Sequence, residues 1–585
     1  MKPDKRAIIS RGSTAYARKR AVTACQVCRA RRTKCDQKKP RCSFCEKTGA
    51  DCVTEPNEQS SFDPASLAIL ARLESVEKKL DAIQATPSTP SQAASSIESA
   101  ARQSSSDDDD DEPPPSLLPQ NLDQLLQWPV FHPILPASPD QSGGGGFMGS
   151  QPRCRPASHH PVPSSMGFEL DLSTSTRYLD TFFAHVHSKN PVLDEPSARR
   201  MVRRVCLDGP GWDPESCLAL LLCANGAAAQ TALITPVVPT SSNEEQQQQE
   251  HYSTSQILFH AAQKRLGTCL DAAGVLQAQC LFFAGVYLMT SLRPFDAWRL
   301  FQHGLAVCQA FSGGEDPPDP AQESIYWTCW KSEREVRWEL RLPDFGEYYS
   351  SLVDAPQLFP SLPPSSPDGA ETTLRAWYFY LSEISLWRLE MDARVEMARS
   401  IRETPWTTAG ALLEQLAGIA DCTAEQLTLW EQSLPLAVSI ASPPAGGTTP
   451  EEHEDVLRFV LRGRTTYVHE LISWPFIACI IAGRAMTERA RSWAVRGIEA
   501  HVRRLVINRP GFYYRHHGTW LMIRSSARSL CLLLAVARTT AAQELLPDEW
   551  KEVALMTLDM FKFWKDEVEG MESLVEQLEQ LLGLV

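Results

Sequence analysis

The sequence predicts a mainly α-helical protein in which a small six-cysteine metal module precedes a large all-α domain. Six cysteines fall within 28 residues near the N-terminus, apolar residues recur at helical spacing beyond residue 167, and strand-like alternation is nearly absent. The 585 residues exceed one ordinary domain, and the 42 prolines indicate connecting segments. We expect a short parallel coiled coil and a disordered linker to join the module to the α-helical domain.

Charge divides the chain into a basic head and an acidic body. Residues 1–52 hold 15 basic and 4 acidic side chains, whereas the remainder holds 42 and 67. A compact basic head attracts a polyanion, and an acidic body disfavours adsorption to an anionic membrane. The uncharged run Ser216–Ser242 contains Pro236 and Pro239, so we predict a buried helix followed by a loop rather than a membrane span. Residues 1–20 have no apolar signal core, which favours an intracellular protein with free thiols.

The six N-terminal cysteines repeat one half-motif, C-x2-C-x6-C, with six residues between the copies. They are Cys25, Cys28, Cys35, Cys42, Cys45 and Cys52. Two tetrahedral zinc sites need eight ligand positions, and six thiolates supply them if two cysteines bridge both metals. Internal symmetry assigns the bridges to the first cysteine of each half, Cys25 and Cys42. The spacing therefore predicts two Zn²⁺ per chain in a closed site without a catalytic water.

The segment CQVCRARRTKCDQKKPRCSFCEKTGADC resembles the DNA-binding domain of fungal zinc binuclear cluster transcription factors, including Asp36 after the third cysteine and Pro40 in the connecting loop. The resemblance implies that the first helix points its C-terminal end into the major groove, which places Arg31 and Arg32 against base edges. Arg can bond bidentately to guanine, although members of the family often have Lys there. Five further basic residues suit phosphate contacts or are solvated charges: Arg29, Lys34, Lys38, Lys39 and Arg41.

The residues on either side of the cysteine cluster predict a nuclear import signal and a dimerisation helix. In the basic arm 1–24, Arg18-Lys19-Arg20 suits a nuclear import signal or a DNA-backbone contact, and we expect a nuclear protein. After the linker 53–65, residues 66–86 carry three heptads with an apolar seam at Ile69, Leu73, Val76, Leu80 and Ile83, which Ser66 begins. An attractive pair of Arg72 with Glu77 favours a parallel homodimer, and an ordinary surface helix is the alternative.

Residues 87–167 are rich in Pro, Ser, Gly and Asp and are expected to form a disordered linker. Within it, residues 117–135 interleave leucines and aromatics, so this segment either folds on a partner or docks on the protein's own body.

Residues 168–547 are predicted as the all-α domain. The segments YLDTFFAHVHSKNPVLD, ESCLALLLCANGAA and IYWTCWKSEREVRWEL resemble the fungal-specific transcription factor domain, or middle homology region, which implies a regulatory role. We expect the glutamine run Gln246–Gln249 to be a solvated loop and the other eleven cysteines to be core thiols. Residues 548–585, with ten acidic and three basic side chains, form either a coactivator-binding amphipathic helix or a final packing helix.

These features together favour a binding protein over an enzyme. No nucleophile-elbow, P-loop, dinucleotide or zinc-protease motif is present, and the pairs His159-His160 and His516-His517 are interpreted as structural or solvated. The resemblance implies a nuclear DNA-binding transcription factor of RNA polymerase II genes. We expect a homodimeric activator of metabolic or secondary-metabolite genes that recruits coactivators and binds double-stranded DNA at half-sites, which the family resemblance implies are of the CGG type. The alternatives are a repressor and a non-catalytic scaffold or RNA binder.

Overall fold

A computed structural model describes most of the chain, and contact density divides it into two units, 1–106 and 107–585. The described residues are 25, 27–28, 31, 33–52, 116–132, 171–229, 242–311, 319–340, 342, 360, 370–404, 406, 409–441, 456–513 and 515–583. The predicted basic arm 1–24, the linker 53–65 and the coiled coil 66–86 lie outside these residues, as does most of the linker 87–167.

The described part of the first unit is the cysteine module. A helical turn includes Val27 and Cys28, and α1 spans Ser43–Thr48. Helix α1 ends at Gly49, whose φ of 67° is the left-handed conformation that glycine adopts without strain.

The described part of the second unit is built of α-helices and short 3₁₀ turns, without a strand. Its α-helices are α2 Leu122–Leu125, α3 Leu172–His185, α4 Glu195–Asp208, α5 Pro214–Ala228, α6 Ser242–Gln263, α7 Val275–Thr290, α8 Pro294–Gln309, α9 Pro320–Glu339, α10 Ala370–Glu403, α11 Ala409–Ser433, α12 Val456–Ile481, α13 Glu488–Asn508, α14 Thr519–Ala537, α15 Trp550–Trp564 and α16 Met571–Gly583.

Aspartates begin several of these helices. Asp194, Asp213 and Asp319 each accept a hydrogen bond from a backbone N–H of the first turn, and proline follows in that turn. Asp171 caps α3 in the same way. A side-chain acceptor at the N-cap and a proline with preset φ both favour a helix start, so local sequence sets these boundaries.

Two apolar cores hold the body together. The first packs α3 to α9, where α5 and α7 are buried on nearly every side, and the second packs α11 to α16. A group of aromatic side chains, including Trp327 and Trp387, joins α9 to α10. Helices α3 and α5 approach closely at Gly226, where an added Cβ would lie 2.0 Å from the backbone oxygen of Tyr178.

Helix α14 is long and apolar enough to cross a membrane by length and composition. However, 89% of its most apolar window is buried inside the body. The helix also carries Arg524 and Arg528, which are buried in ion pairs with Glu339. We therefore interpret α14 as the central helix of the second core.

Residues 116–132, here named the strap, dock on the body. Leu122, Leu125 and Phe131 are completely buried in the second core. The Asp123 carboxylate accepts a hydrogen bond from Arg524 Nη2 at 3.0 Å. The sequence left open whether this segment folds on a partner or docks on the protein's own body, and in the structure it is docked on the body.

Three expectations differ from the structure. The glutamine run Gln246–Gln249 lies inside α6 and is not a loop, because glutamine is a good helix former. Residues 548–585 form two packed helices, α15 and α16, rather than one helix. Cys422 is exposed and is therefore not a core thiol.

The apolar faces of α15 and α16 are buried in the second core. Phe561 and Leu574 are completely buried, whereas Leu555 and Phe563 remain 54% and 40% exposed. Packing therefore covers most of the apolar surface that a coactivator would need.

Candidate metal centre and nucleic-acid interface

The six N-terminal thiols converge in space. The Sγ atom of Cys25 lies 3.7 Å from that of Cys42 and 3.6 Å from that of Cys45, and the Sγ atoms of Cys28 and Cys42 are 3.6 Å apart. A zinc ion bound at about 2.3 Å by four thiolates sets sulfur atoms about 3.8 Å apart along each edge of the tetrahedron. The observed separations fit such edges.

The thiols divide into two groups of four that share two members. One group is Cys25, Cys28, Cys35 and Cys42, and the other is Cys25, Cys42, Cys45 and Cys52. Within each group all sulfur atoms lie within 4.8 Å of one another. The shared residues, Cys25 and Cys42, are those that the ligand count and the internal symmetry assign as bridges. The donor set therefore fits two tetrahedral zinc sites.

The pKa is lowered at the two bridging candidates and raised at Cys28, Cys45 and Cys52. The N–H groups of Cys28 and Cys45 bond to the sulfurs of Cys25 and Cys42, respectively, and each lowers the pKa of the thiol that it contacts. Burial raises the pKa of Cys28 to about 12, and it also raises that of Cys45. A thiol must lose its proton to bind zinc, so the two shared positions are the ones whose surroundings already favour a thiolate.

Asp36 connects the loop after the third cysteine to the start of α1. Its Oδ1 accepts the backbone N–H of Ser43 at 2.9 Å, and its Oδ2 accepts the hydroxyl of the same residue. These hydrogen bonds lower the pKa of the Asp36 carboxyl. Asp36 thus holds the first residue of α1, the helix that follows Cys42 and contains Cys45.

The predicted DNA contacts are partly visible. Arg31, Lys34, Lys38 and Lys39 are exposed, and Arg41 is exposed in an ion pair with Asp51 at 3.0 Å. The Arg31 N–H donates to the Val27 carbonyl at 3.1 Å, which places Arg31 at the end of the first helical turn. Two further predicted contacts, Arg29 and Arg32, lie outside the described residues. The same holds for the predicted dimer seam Ile69, Leu73, Val76, Leu80 and Ile83.

A second cysteine group is found only in the structure. The Sγ atoms of Cys217, Cys269 and Cys280 lie within 4.8 Å of one another in the first core, and all three residues are buried. Cys217 and Cys280 donate to the carbonyl oxygens of Ala262 and Pro214. They are far apart along the chain, so no local spacing could have indicated this group.

Comparison with known proteins supports the metal assignment. Residues 23–61 match the family described as the fungal Zn(2)-Cys(6) binuclear cluster domain. A relative from Aspergillus rugulosus, named "Putative transcription factor ecdB", is 23% identical over 521 residues, covering 83% of this chain and 84% of that protein. No solved structure matches the chain.

Two shorter matches carry higher identity. The Oleate-activated transcription factor 1 of Saccharomyces cerevisiae is 43% identical over 58 residues, which cover 10% of this chain and 6% of that protein. The Zn(2)-C6 fungal-type transcription factor afumD of Aspergillus fumigatus is 35% identical over 78 residues, which cover 13% of this chain and 18% of that protein.

The N-terminal module is thus a Zn(2)-Cys(6) cluster domain, a kind of domain that binds two zinc ions. The similar proteins are named as transcription factors, which is consistent with a protein that is not an enzyme.

Proposed function

We propose that the protein is a nuclear, sequence-specific DNA-binding transcription factor of RNA polymerase II genes, with Cys25, Cys28, Cys35, Cys42, Cys45 and Cys52 as its zinc ligands. The observation that carries the proposal is the pair of four-thiol groups that share Cys25 and Cys42 within the residues matching the cluster domain. Each Zn²⁺ would hold both halves of the module in place. Because all-cysteine coordination leaves no position for a catalytic water, the zinc ions would have a structural role.

Two kinds of DNA contact are proposed. Arg31 and Arg32 read guanines of CGG-type half-sites, because a guanidinium at a helix end in the major groove can bond to O6 and N7 together. Arg29, Lys34, Lys38, Lys39 and Arg41 contact phosphates, which position the module without reading sequence. The ion pair of Arg41 with Asp51 is solvent-exposed and contributes little, so Arg41 can exchange it for a phosphate.

The proposal is tested by titrating the full chain with CGG-containing and scrambled duplexes at several salt concentrations. Arg31→Ala and Arg32→Ala should each cost about 1–3 kcal/mol of discrimination between the two duplexes. Lys38→Ala and Lys39→Ala should weaken binding to both duplexes equally and reduce the salt slope by about 0.9 each. Lys565→Ala, an exposed lysine of the second unit, is the control and should change neither quantity. Uniform weakening by the two arginine variants would contradict the proposed reading positions.

We further propose that residues 66–86 form a parallel homodimer, which raises affinity for paired half-sites through avidity. Replacing Leu73 and Leu80 with Glu should give a monomer that binds paired sites weakly and retains two zinc ions. Lys78→Glu introduces a similar charge outside the apolar seam and serves as the control. Sedimentation of the unsubstituted chain as a monomer, both free and on DNA, would contradict this part of the proposal.

Activation through coactivators is the proposed output, and a metabolic or secondary-metabolite gene set is the proposed target. Activation is supported by the acidic C-terminal segment, in which the apolar side chains Leu555 and Phe563 are exposed on α15 and accessible to a coactivator. Replacing both with Glu should reduce expression of a reporter gene while leaving DNA affinity unchanged. Increased reporter expression from the doubly substituted protein would instead indicate a repressor.

A further inference from the structure

A large cavity lies within the second unit. Its volume is about 1260 Å³, and its walls come mainly from α9, α10, α12, α13 and α14. The strap completes part of the wall with Leu118, Asn121 and Gln124. Pockets of about 300–1,000 Å³ accommodate drug-sized molecules, so this cavity is large enough for a small organic ligand.

The cavity is lined by an excess of positive charge. Nine Lys and Arg side chains and four Glu side chains face it. The glutamates already have basic partners: Glu335 and Glu383 pair with Arg464, Glu383 with Lys331, Glu390 with Arg394, and Glu339 with Arg528. Arg337 and Arg504 pair with Glu333 and Glu470 behind the wall, so nine basic side chains face or adjoin six carboxylates.

Among the basic side chains of the lining, Lys189 is distinguished by the surroundings of its ammonium group. Among the described residues its ammonium group has no hydrogen-bond or ion-pair partner, although the residue is only partly exposed. Burial lowers the pKa of Lys189 to about 8, although the charge of Glu383, which already pairs with Lys331 and Arg464, acts in the opposite direction. Burial also lowers the pKa values of His516 and His517, and the charge of Lys189 lowers both further. Lys189 therefore provides the cavity with a largely buried ammonium group that an anion could pair with.

Guanidinium groups in the wall have donors to spare. Among the residues that the structure describes, Arg464 bonds Glu335 and Glu383 through Nη2 alone, and Arg528 bonds Glu339 through Nη1 alone. Each guanidinium carries five N–H donors in a planar fork that matches a carboxylate. A ligand carboxylate could thus be bound without breaking these ion pairs.

A different part of the lining is apolar. Along α10, Met391, Val395, Ala398 and Ile401 follow one another at intervals of three or four residues and line the cavity. Phe459 of α12 also faces it. The lining therefore combines cationic and aliphatic side chains, and on α10 Arg394 and Arg402 lie in the same segment as the aliphatic residues.

We propose that this cavity binds a small organic acid, with its carboxylate near Lys189 and its apolar body along the Met391–Ile401 stripe. Because the strap forms part of the wall, the bound acid stabilises the docked strap. The strap lies at the start of the second unit, after the chain segment that leads from the cysteine module. The ligand site does not depend on the proposed DNA-binding function, since its residues all belong to the second unit.

The test measures binding of decanoate to the full chain by calorimetry, alongside 1-decanol and decyltrimethylammonium. We expect decanoate to bind at least about tenfold more tightly than either analogue, since a hydrogen bond to a charged group contributes that much. Lys189→Gln should remove this preference. Lys565→Gln is the matched control because it removes an exposed lysine elsewhere in the second unit, and it should leave the binding unchanged.

Hydrogen exchange gives a second readout. Decanoate should increase protection of strap amides in the unsubstituted chain, and this increase should be lost in the Lys189→Gln variant. Ala398→Phe should fill the aliphatic region and weaken decanoate binding while the protein stays folded by circular dichroism. Equal affinity for decanoate and its cationic analogue, no measurable binding of decanoate, or a preference for decanoate over its analogues that survives Lys189→Gln would each overturn the proposal.

Discussion

The two units of the chain bury different kinds of atoms. In the described part of the cysteine module, the fully buried residues are Cys25, Cys28, Cys42 and Cys45, and Val27 and Phe44 are only partly covered. The second unit buries two extensive sets of aliphatic and aromatic side chains. The module therefore depends on metal–sulfur bonds, whereas the body depends on removing apolar surface from water.

Zinc removal should produce the largest difference in stability between the two units. Zinc binding to small cysteine modules contributes about 10–16 kcal/mol, so a strong chelator should unfold the module. The described cores of the body consist mainly of apolar side chains, so we expect the body to remain helical. Hydrogen exchange after chelation should show lost protection at residues 33–52 and unchanged protection in α5 and α14. Loss of protection in α14 would contradict the separation.

The cysteines proposed as bridges, Cys25 and Cys42, allow a sharper comparison within the module. Cys25→Ala or Cys42→Ala should release both zinc ions, because each sulfur belongs to both four-thiol groups. Cys28→Ala removes a ligand from one group only and should have a less symmetric effect. Native mass spectrometry counts the retained ions, and Cys422→Ala, at an exposed cysteine of the body, should keep two. A single tightly held zinc in the unsubstituted chain would refute the binuclear assignment.

The stability of the body depends on a buried charge, the carboxylate of Asp123. Asp123 and Glu339 together balance Arg524 and Arg528, and all four are buried. Asp123→Asn leaves one uncompensated positive charge and should lower the free energy of unfolding by about 3 kcal/mol. Urea denaturation measures the change, and hydrogen exchange should show a less protected strap. The control Asp559→Asn alters a surface pair with Lys562 and should have no measurable effect.

The smallest expected effect concerns close packing between helices. Gly226→Ala would drive a Cβ against the Tyr178 carbonyl and should destabilise the body by about 1–3 kcal/mol. Gly418→Ala in α11 meets only the end of Arg489, 3.9 Å away, and should stabilise the body by about 0.5–1 kcal/mol. Thermal unfolding of both variants is the measurement. Equal shifts would show that the α3–α5 contact is looser than described.

Local patterns were sufficient for much of the architecture. The six-cysteine spacing predicts the thiol cluster, and helical periodicity predicts helices at 323–340, 374–401 and 519–536, within a few residues of the observed ends of α9, α10 and α14. The same periodicity predicts a helix only at 456–471, whereas α12 continues through Pro475 to Ile481 inside the second core. Tertiary packing there compensates for the hydrogen bond that proline cannot make.

Long-range arrangements could not be predicted in this way. The cavity combines Lys189 with Lys331 and Arg464, and the cysteine group joins Cys217 to Cys280, on elements that are distant in sequence. Nothing in the spacing of these residues indicates that they meet. The exposure of Cys422 was missed for a related reason, since a lone cysteine gives no indication of the helix face on which it lies.

The strap has a consequence for synthesis on the ribosome. Its Asp123 reaches Arg524, which is 401 residues further along the chain. At about 5–20 residues per second, Arg524 is added about 20–80 s after Asp123. Throughout that interval Leu122, Leu125 and Phe131 have no site to occupy and stay available to chaperones. The strap is therefore synthesised early but can complete its docking only after α14 has been synthesised.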